Sequence, residues 1–287
     1  MDQGKVERLI NLERYPIADA QAPGFQDVVE SVRADLAGDG CGCLPGFLSE
    51  EGLEMLADEA RKLAPLSYGG PTEASPYFFN YQTDKLADLP DDHPLRHKGE
   101  RKLAQVAGDL IPVDAALRAL HQSDLMARFL AAVAGVPRMH PGADKHQSLN
   151  ISVMQPGGCQ QWHFDRGNLT TTLMLQPPEG GGAFQYAPNL RSEKDENFAA
   201  VREILDGDES RCRTVSMDAG TLMLFRGHYA LHRVTPVEGA RPRYVAIFSF
   251  VDTPGMCGSP ERTRQLYGRV LPIHLERAGV RADALID

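Results

Sequence analysis

Long apolar runs are missing from this 287-residue chain: no stretch approaches the roughly 20 hydrophobic residues that a membrane helix needs. Positive charge is also in short supply. Thirty Lys and Arg against 39 Asp and Glu leave a formal net charge of −9. No basic face is expected to neutralise phosphates, which excludes a general nucleic-acid grip. The opening residues, Met1-Asp2-Gln3-Gly4-Lys5, show no basic segment followed by an apolar one, so no secretory signal is expected there. Cysteine is sparse and odd in number. Cys41, Cys43, Cys159, Cys212 and Cys257 lack metal-finger spacing, and no second pair completes a site around Cys41 and Cys43. That usage fits a reducing, cytoplasmic setting. Tryptophan occurs once, at Trp162, and no internal repeat or low-complexity stretch stands out. What remains is 42% hydrophobic and 24% charged, an ordinary globular composition at a length suited to one large domain.

Residues 1–146 read as a helix-rich support. An N-terminal arm, punctuated by Tyr15-Pro16 and Ala22-Pro23-Gly24, precedes a helix whose Val28, Val29, Val32 and Leu36 share one face. A short strand over Cys43–Leu48 leads to Ser49, an N-cap candidate. After it Leu53, Leu56, Ala57, Ala60 and Leu63 form an apolar stripe behind an acidic first turn. The aromatic run Tyr77–Tyr81 either lines a substrate mouth or packs at an edge. Two helices are expected over Ile111–Leu120 and Ser123–Ala134, the second closed by Gly135.

From Gln147 the hydrophobic period changes from helical to alternating. Eight short strands follow within 147–252, separated by turn signals such as Gly180-Gly181-Gly182 and Asp218-Ala219-Gly220. The expected fold class is α+β, mainly β: a double-stranded β-helix (jelly roll, cupin-like) core with supporting helices. A charged insert over residues 190–210 carries a surface helix and is a candidate lid. Ser259-Pro260-Glu261 starts a helical tail that fills 253–287.

The stretch Gln160-Gln161-Trp162-His163-Phe164-Asp165-Arg166 carries the chemistry. Residues i and i+2 of a strand share a face, so His163 and Asp165 can reach one point together. Far downstream, His232 lies in Leu231-His232-Arg233-Val234. Two histidines and one carboxylate bind one face of Fe(II) and leave the other open, the arrangement of non-haem iron oxygenases. His228, four residues before His232, would lie about 13 Å away along a straight strand. It is expected behind the site or at the surface.

The run from Gln161 to Phe250, with His163-Phe164-Asp165, Leu231-His232-Arg233-Val234 and Arg241-Pro242-Arg243-Tyr244, resembles the core of the Fe(II)- and 2-oxoglutarate-dependent dioxygenases. The resemblance implies metal ligands His163, Asp165 and His232, and the cofactors Fe(II), 2-oxoglutarate and O2. It implies a basic residue past the second histidine for the far carboxylate of 2-oxoglutarate, a role for which a guanidinium is a two-pronged, permanently charged partner. Arg241 and Arg243 compete for it. Arg243 is preferred, because Pro242 favours an extended Arg241 whose side chain points away. Asn150, Trp162, Arg166 and Ser249 are candidate substrate contacts. In relatives that halogenate, a small residue replaces the carboxylate and frees a place for halide, so Asp165 points to hydroxylation of an unactivated C–H bond with release of succinate and CO2.

The expected partner is a small-molecule substrate, a free amino acid or an amino-acid-derived metabolite, with no nucleic acid and no membrane; a homodimer is allowed. Two other readings stay open. A cupin-like metalloenzyme would not need Arg243 or 2-oxoglutarate, and a non-catalytic jelly-roll binding protein would be expected to have lost a ligand.

Overall fold

The computed structural model describes residues 3–77, 86–252, 254–255 and 257–276. All eight expected strands are present: Leu149–Met154, Gln160–His163, Thr170–Gln176, Phe184–Ala187, Arg213–Val215, Leu222–Phe225, Leu231–Val234 and Arg243–Val251. They divide into two antiparallel sheets. The larger runs in the order Cys41–Leu44, Leu222–Phe225, Thr170–Gln176, Arg243–Val251, Leu149–Met154, Ala104–Val106, Tyr68–Gly69, with His140–Pro141 against the end of the long strand. The smaller runs Arg213–Val215, Phe184–Ala187, Leu231–Val234, Gln160–His163. The chain steps between the sheets at nearly every turn, so they face each other as a jelly roll.

The two-residue period of the strands sorts the core. Leu149, Ile151, Val153, Leu173, Leu175, Ala246 and Phe248 point outward from the large sheet, under the helices Pro23–Gly38, Glu50–Leu63 and Asp124–Ala134. Met154, Met174, Met223, Phe225 and Val245 alternate with them and point inward, toward the small sheet. The register sets Arg243, Val245 and Ile247 beside Met154, Ser152 and Asn150, so one continuous face lines the space between the sheets.

Caps form where the side chains permit them. Ser49 accepts from Gly52 N–H at 3.0 Å, Ser123 caps Asp124–Ala134, and Gly135 closes that helix with φ 70°. Several expectations need correction. The N-terminal arm is not peripheral: Val6, Leu9, Ile10, Tyr15 and Ile17 are buried in the main core. The first strand spans Cys41–Leu44, because Gly46, at φ 65°, turns the chain before Phe47. The helix read over Ile111–Leu120 is instead Ala116–His121; Ile111 is extended, as a residue before proline prefers to be. The insert helix, Phe198–Leu205, is no lid on the inner space. Its Ala200, Val201 and Ile204 pack with Trp162, Phe164 and Leu231 on the outer face of the small sheet. Tyr77 is buried there too, whereas the rest of the aromatic run lies outside the described residues. In the tail, helices span Pro260–Tyr267 and Pro272–Glu276. Among the described residues, no helix is long and apolar enough to cross a membrane.

One buried group ties the fold to pH. His121 packs its ring on Phe248 and Phe250, with Nε2 3.4 Å from the Ser249 carbonyl and Nδ1 without a partner. Burial pushes its pKa down to about 4. The unfolded chain takes up this proton near pH 6.5 and the folded one only near pH 4, so stability falls on acidification through that window. His121→Leu is expected to remove about 2 kcal/mol of the stability lost between about pH 7 and pH 5. Denaturant unfolding at both pH values checks this, and an undiminished acid loss in the variant would refute it.

Candidate active site

His163 ends its strand, and Asp165 lies two residues beyond, outside any strand. The two therefore do not meet through strand alternation alone. Asp165 is held instead by its own N–H, which donates to Gly227 O at 3.0 Å, across from the turn that leads into Leu231–Val234. In the adjacent strand His232 is in direct register with His163, and the ring centroids lie 4.0 Å apart. One ligand atom from each of His163, Asp165 and His232 falls within 4.8 Å of the others.

The two histidines are oriented by the same local device. Nδ1–H of His163 donates to Gln161 O, and Nδ1–H of His232 donates to Ala230 O, each at 2.9 Å. In both cases the carbonyl is two residues back. This fixes one tautomer and turns Nε2 to the shared side, where that of His163 accepts from the Gln160 side-chain amide at 2.9 Å. Asp165 Oδ1 faces those atoms, 3.4 Å from His232 Nε2 and 4.0 Å from His163 Nε2. Its other oxygen accepts from the Thr170 hydroxyl at 2.6 Å. Burial opposes ionisation of Asp165, but the His232 and His163 rings and the Thr170 bond outweigh it and hold the carboxyl well below the usual range. Burial, and next the neighbouring His232, lower the pKa of His163 to about 3. His163 and Asp165 are thus unprotonated at neutral pH, as a divalent metal requires of its ligands.

The triad opens on a cavity of about 230 Å3 between the sheets, lined by Asn150, Ser152, Arg166, Thr172, Arg243 and Ser249 among others. Arg243 is 4% exposed and no carboxylate pairs with it among the described residues; its Nε has no hydrogen-bond partner. Burial alone lowers its pKa to about 10. The Thr172 hydroxyl is similarly buried and unsatisfied. Around them stand Met154, Phe184, Met217, Met223 and Val245. A permanent cation in an apolar funnel calls for an anion with two acceptor oxygens.

Of the other site expectations, Asn150, Arg166 and Ser249 line the cavity. Two do not. Arg241 is exposed and donates to Pro178 O at 3.0 Å, because the extended backbone before Pro242 turns it outward. Trp162 alternates with the inward His163, so its ring lies on the outer face of the small sheet, 4.5 Å under the Arg233 guanidinium. His228 is fully buried behind Asp165, with Nδ1 3.2 Å from the Asp165 carbonyl. Arg191 supports it by donating to His228 O at 2.6 Å and pairing with Glu196 at 2.9 Å.

Thr170, Gly227, Arg101 and Arg262 also belong to this site, and the sequence reading missed them. Thr170 and Thr172 form the polar half of an alternating strand, a signal that was legible; the others are brought in only by folding. Gly227 is needed because a Cβ there would run into the Asp165 carboxylate. Gly227→Ala is therefore expected to weaken iron binding roughly 10- to 100-fold, the usual cost of disturbing a ligand's support. Anaerobic iron titration checks it, alongside thermal unfolding to show that the variant folds; unchanged iron affinity would count against the arrangement.

Comparison with known proteins agrees with this geometry. The family model of halogenase D matches residues 91–262, more than half of the chain. No curated protein matches it in sequence. AviO1 from Streptomyces viridochromogenes is similar in structure, with a TM-score of 0.51 at 19% identity over 78% of this chain and 94% of that one. An oxidoreductase of the 2OG-Fe(II) oxygenase family from Burkholderia pseudomallei has a TM-score of 0.51 at 14% identity, over 77% and 90% of the two chains. The epimerase SnoN from nogalamycin biosynthesis, in complex with Fe3+, alpha ketoglutarate and nogalamycin RO, has a TM-score of 0.53 at 16% identity, over 79% and 84%. The fold is that of the 2-oxoglutarate-dependent iron oxygenases.

Proposed function

The chain belongs to the halogenase D family, and from that premise we propose that it is an Fe(II)- and 2-oxoglutarate-dependent dioxygenase that hydroxylates an unactivated C–H bond of a small molecule. The observation that carries this reading is the pairing of two elements in one cavity: three ligand atoms within 4.8 Å of one another, and a buried Arg243 that no carboxylate pairs with among the described residues. A metalloenzyme that did not use 2-oxoglutarate would have no need of that buried cation. A binding protein on a worn-down jelly roll would have no need of the triad.

His163, Asp165 and His232 would hold the iron, and Arg243, with Thr172 beside it, would hold the far carboxylate of 2-oxoglutarate. When bound, iron with 2-oxoglutarate and O2 supplies oxidative decarboxylation to succinate and CO2, coupled to C–H oxidation. The protein's own part is positional. The Gln161 and Ala230 carbonyls aim both imidazoles, and Thr170 holds Asp165 Oδ2 so that Oδ1 stays turned to the metal side. The apolar wall of Met154, Phe184 and Met223 keeps water from the Arg243 end, which strengthens its grip on a carboxylate.

Asp165 bears on the outcome of the reaction. Within a family named for halogenation, this chain keeps a carboxylate where a halide would need an open place, and that favours hydroxylation. The cavity lies below the roughly 300–1,000 Å3 of drug-sized pockets, which suits a free amino acid or similarly small metabolite better than a protein segment.

Anaerobic titration of the apoprotein with Fe(II) and then 2-oxoglutarate tests the reading. The weak visible charge-transfer band of the chelate should appear in the native protein. Iron binding without any spectral response to 2-oxoglutarate would overturn the cosubstrate assignment.

A further inference from the structure

Sulfur gathers at one edge of the space between the sheets. The strand Cys41–Leu44 ends the larger sheet, and its register sets Cys43 opposite Met223 and Cys41 opposite Phe225. Paired residues of neighbouring strands project to one face, with Cβ atoms roughly 4.5–5.5 Å apart. Both cysteines therefore point inward with Met223 and Phe225, whereas Leu44 and Leu222 share the outward face under the helices. The cysteines pack at the border of the cluster that holds Met154, Met174, Met217 and Met223.

Cys41 and Cys43 are free thiols, half-buried and so within reach of solvent at the sheet edge. Their side chains hydrogen-bond to each other, and the Tyr186 side chain bonds Cys41 from the small sheet. Gly42, between them, faces the other way; a Cβ there would press on Val32 of the helix Pro23–Gly38, so the strand lies tight beneath that helix.

Two fates for such a pair can be weighed. Residues two apart in an extended strand have Cα atoms about 6.6 Å apart, near the upper end of the roughly 4.4–6.8 Å that a disulfide spans. Closing that bond would pucker a strand that is paired along its whole length and packed under a helix. An ion seated between the two sulfurs needs no such movement. Zn(II) fits poorly, because it takes four donors, and among the described residues no third His, Cys, Asp or Glu gathers with these two cysteines. Cu(I) is soft and takes thiolate and thioether sulfur, and the Met223 thioether stands across from Cys43.

We propose that Cys41, Cys43 and Met223 form a binding site for one Cu(I) ion, held by two thiolates and a thioether at the edge of the jelly roll. Binding releases both thiol protons to solvent. The site is separate from the His163, Asp165 and His232 triad, although the two are neighbours: Phe225 pairs with Cys41 and packs on the His232 ring at 4.9 Å. It does not depend on the oxygenase reading.

Anaerobic competition of the metal-free protein against the chromophoric Cu(I) chelator bicinchoninate tests this. The protein should withdraw one equivalent of Cu(I) and develop a thiolate-to-copper absorption in the ultraviolet. Cys41→Ser and Cys43→Ser should each weaken binding by more than roughly a hundredfold, beyond the 10- to 100-fold cost of disturbing a ligand's support. Met223→Leu, which keeps the volume and loses the sulfur, should weaken it about tenfold. His163→Ala should bind Cu(I) as the native protein does, and thermal unfolding shows that each variant folds. Failure of the native protein to withdraw copper would overturn the proposal. So would undiminished binding by the double variant Cys41→Ser/Cys43→Ser, or lost binding in His163→Ala, because the ion would then sit at another cysteine or at the triad. Undiminished binding by Met223→Leu would overturn the three-sulfur site, and displacement of the copper by excess Zn(II) would overturn its assignment to a soft monovalent ion.

Discussion

His232→Ala is expected to abolish the Fe(II)/2-oxoglutarate charge-transfer band and to lower 2-oxoglutarate turnover by more than roughly a hundredfold, beyond the 10- to 100-fold cost of losing a ligand's hydrogen-bond partner. His232 stands at the middle of the proposed centre. Its Nε2 is the imidazole atom nearest to Asp165 Oδ1, at 3.4 Å, and its ring lies against His163 in register across the small sheet. Phe184 and Phe225 pack on the same ring, with centroids 5.5 and 4.9 Å away, and hold it in its orientation. Because His232 is buried, the variant also leaves a gap among these aromatics, and a modest loss of stability is expected with it. Thermal unfolding of the metal-free proteins separates the two effects. A folded variant that still shows the band and the turnover would exclude His232 as a ligand.

The second large effect is expected at Arg243, where function and stability should move in opposite directions. Arg243→Met removes the only charge on the inward face of the long strand and should raise the 2-oxoglutarate concentration for half-saturation by roughly a hundredfold, within the range for truncating one member of a buried charge pair. Arg243→Lys should recover only part of the loss, since an ammonium cannot match a carboxylate with two parallel bonds. In the metal-free protein the same Arg243→Met substitution should be neutral or stabilising by about 1–3 kcal/mol, because it replaces a buried, unpaired guanidinium among methionines and valine with a side chain that suits them. Steady-state kinetics against 2-oxoglutarate and denaturant unfolding supply the two readouts. Unchanged 2-oxoglutarate dependence would remove Arg243 from the cosubstrate site. A large destabilisation would show that the guanidinium has a partner in the folded chain.

The opposed effects at Arg243 and the acid sensitivity expected through His121 share a cause. In both, a polar group is kept in an apolar setting where it lowers stability, and only at Arg243 does a ligand stand to compensate. The halogenase D relationship gives Asp165 similar weight. Under the proposed function one side chain at that position would decide how many places the metal keeps, and Gly227 and Thr170 fit around the carboxylate that is present.

The sequence by itself determined the strands and singled out the histidines and the carboxylate that the fold gathers. Alternation between buried and inward residues is a local, two-residue property, so all eight jelly-roll strands and the inward half of Arg243–Val251 could be read from the chain. The His-x-Asp pattern, the distant His232 and the preference for Arg243 over Arg241 were likewise legible, the last because proline restrains the residue before it. Only the tertiary structure decided what meets what. The place of Asp165 depends on the Gly227 carbonyl, more than 60 residues away, rather than on the strand that carries His163. Trp162 lost its expected place in the cavity because its strand has a second face, covered by an insert helix whose docking no local pattern encodes. The lining of the cavity is the clearest case. Arg101, Asn150 and Thr172 come from three separate segments, and they share one space only once the chain is folded.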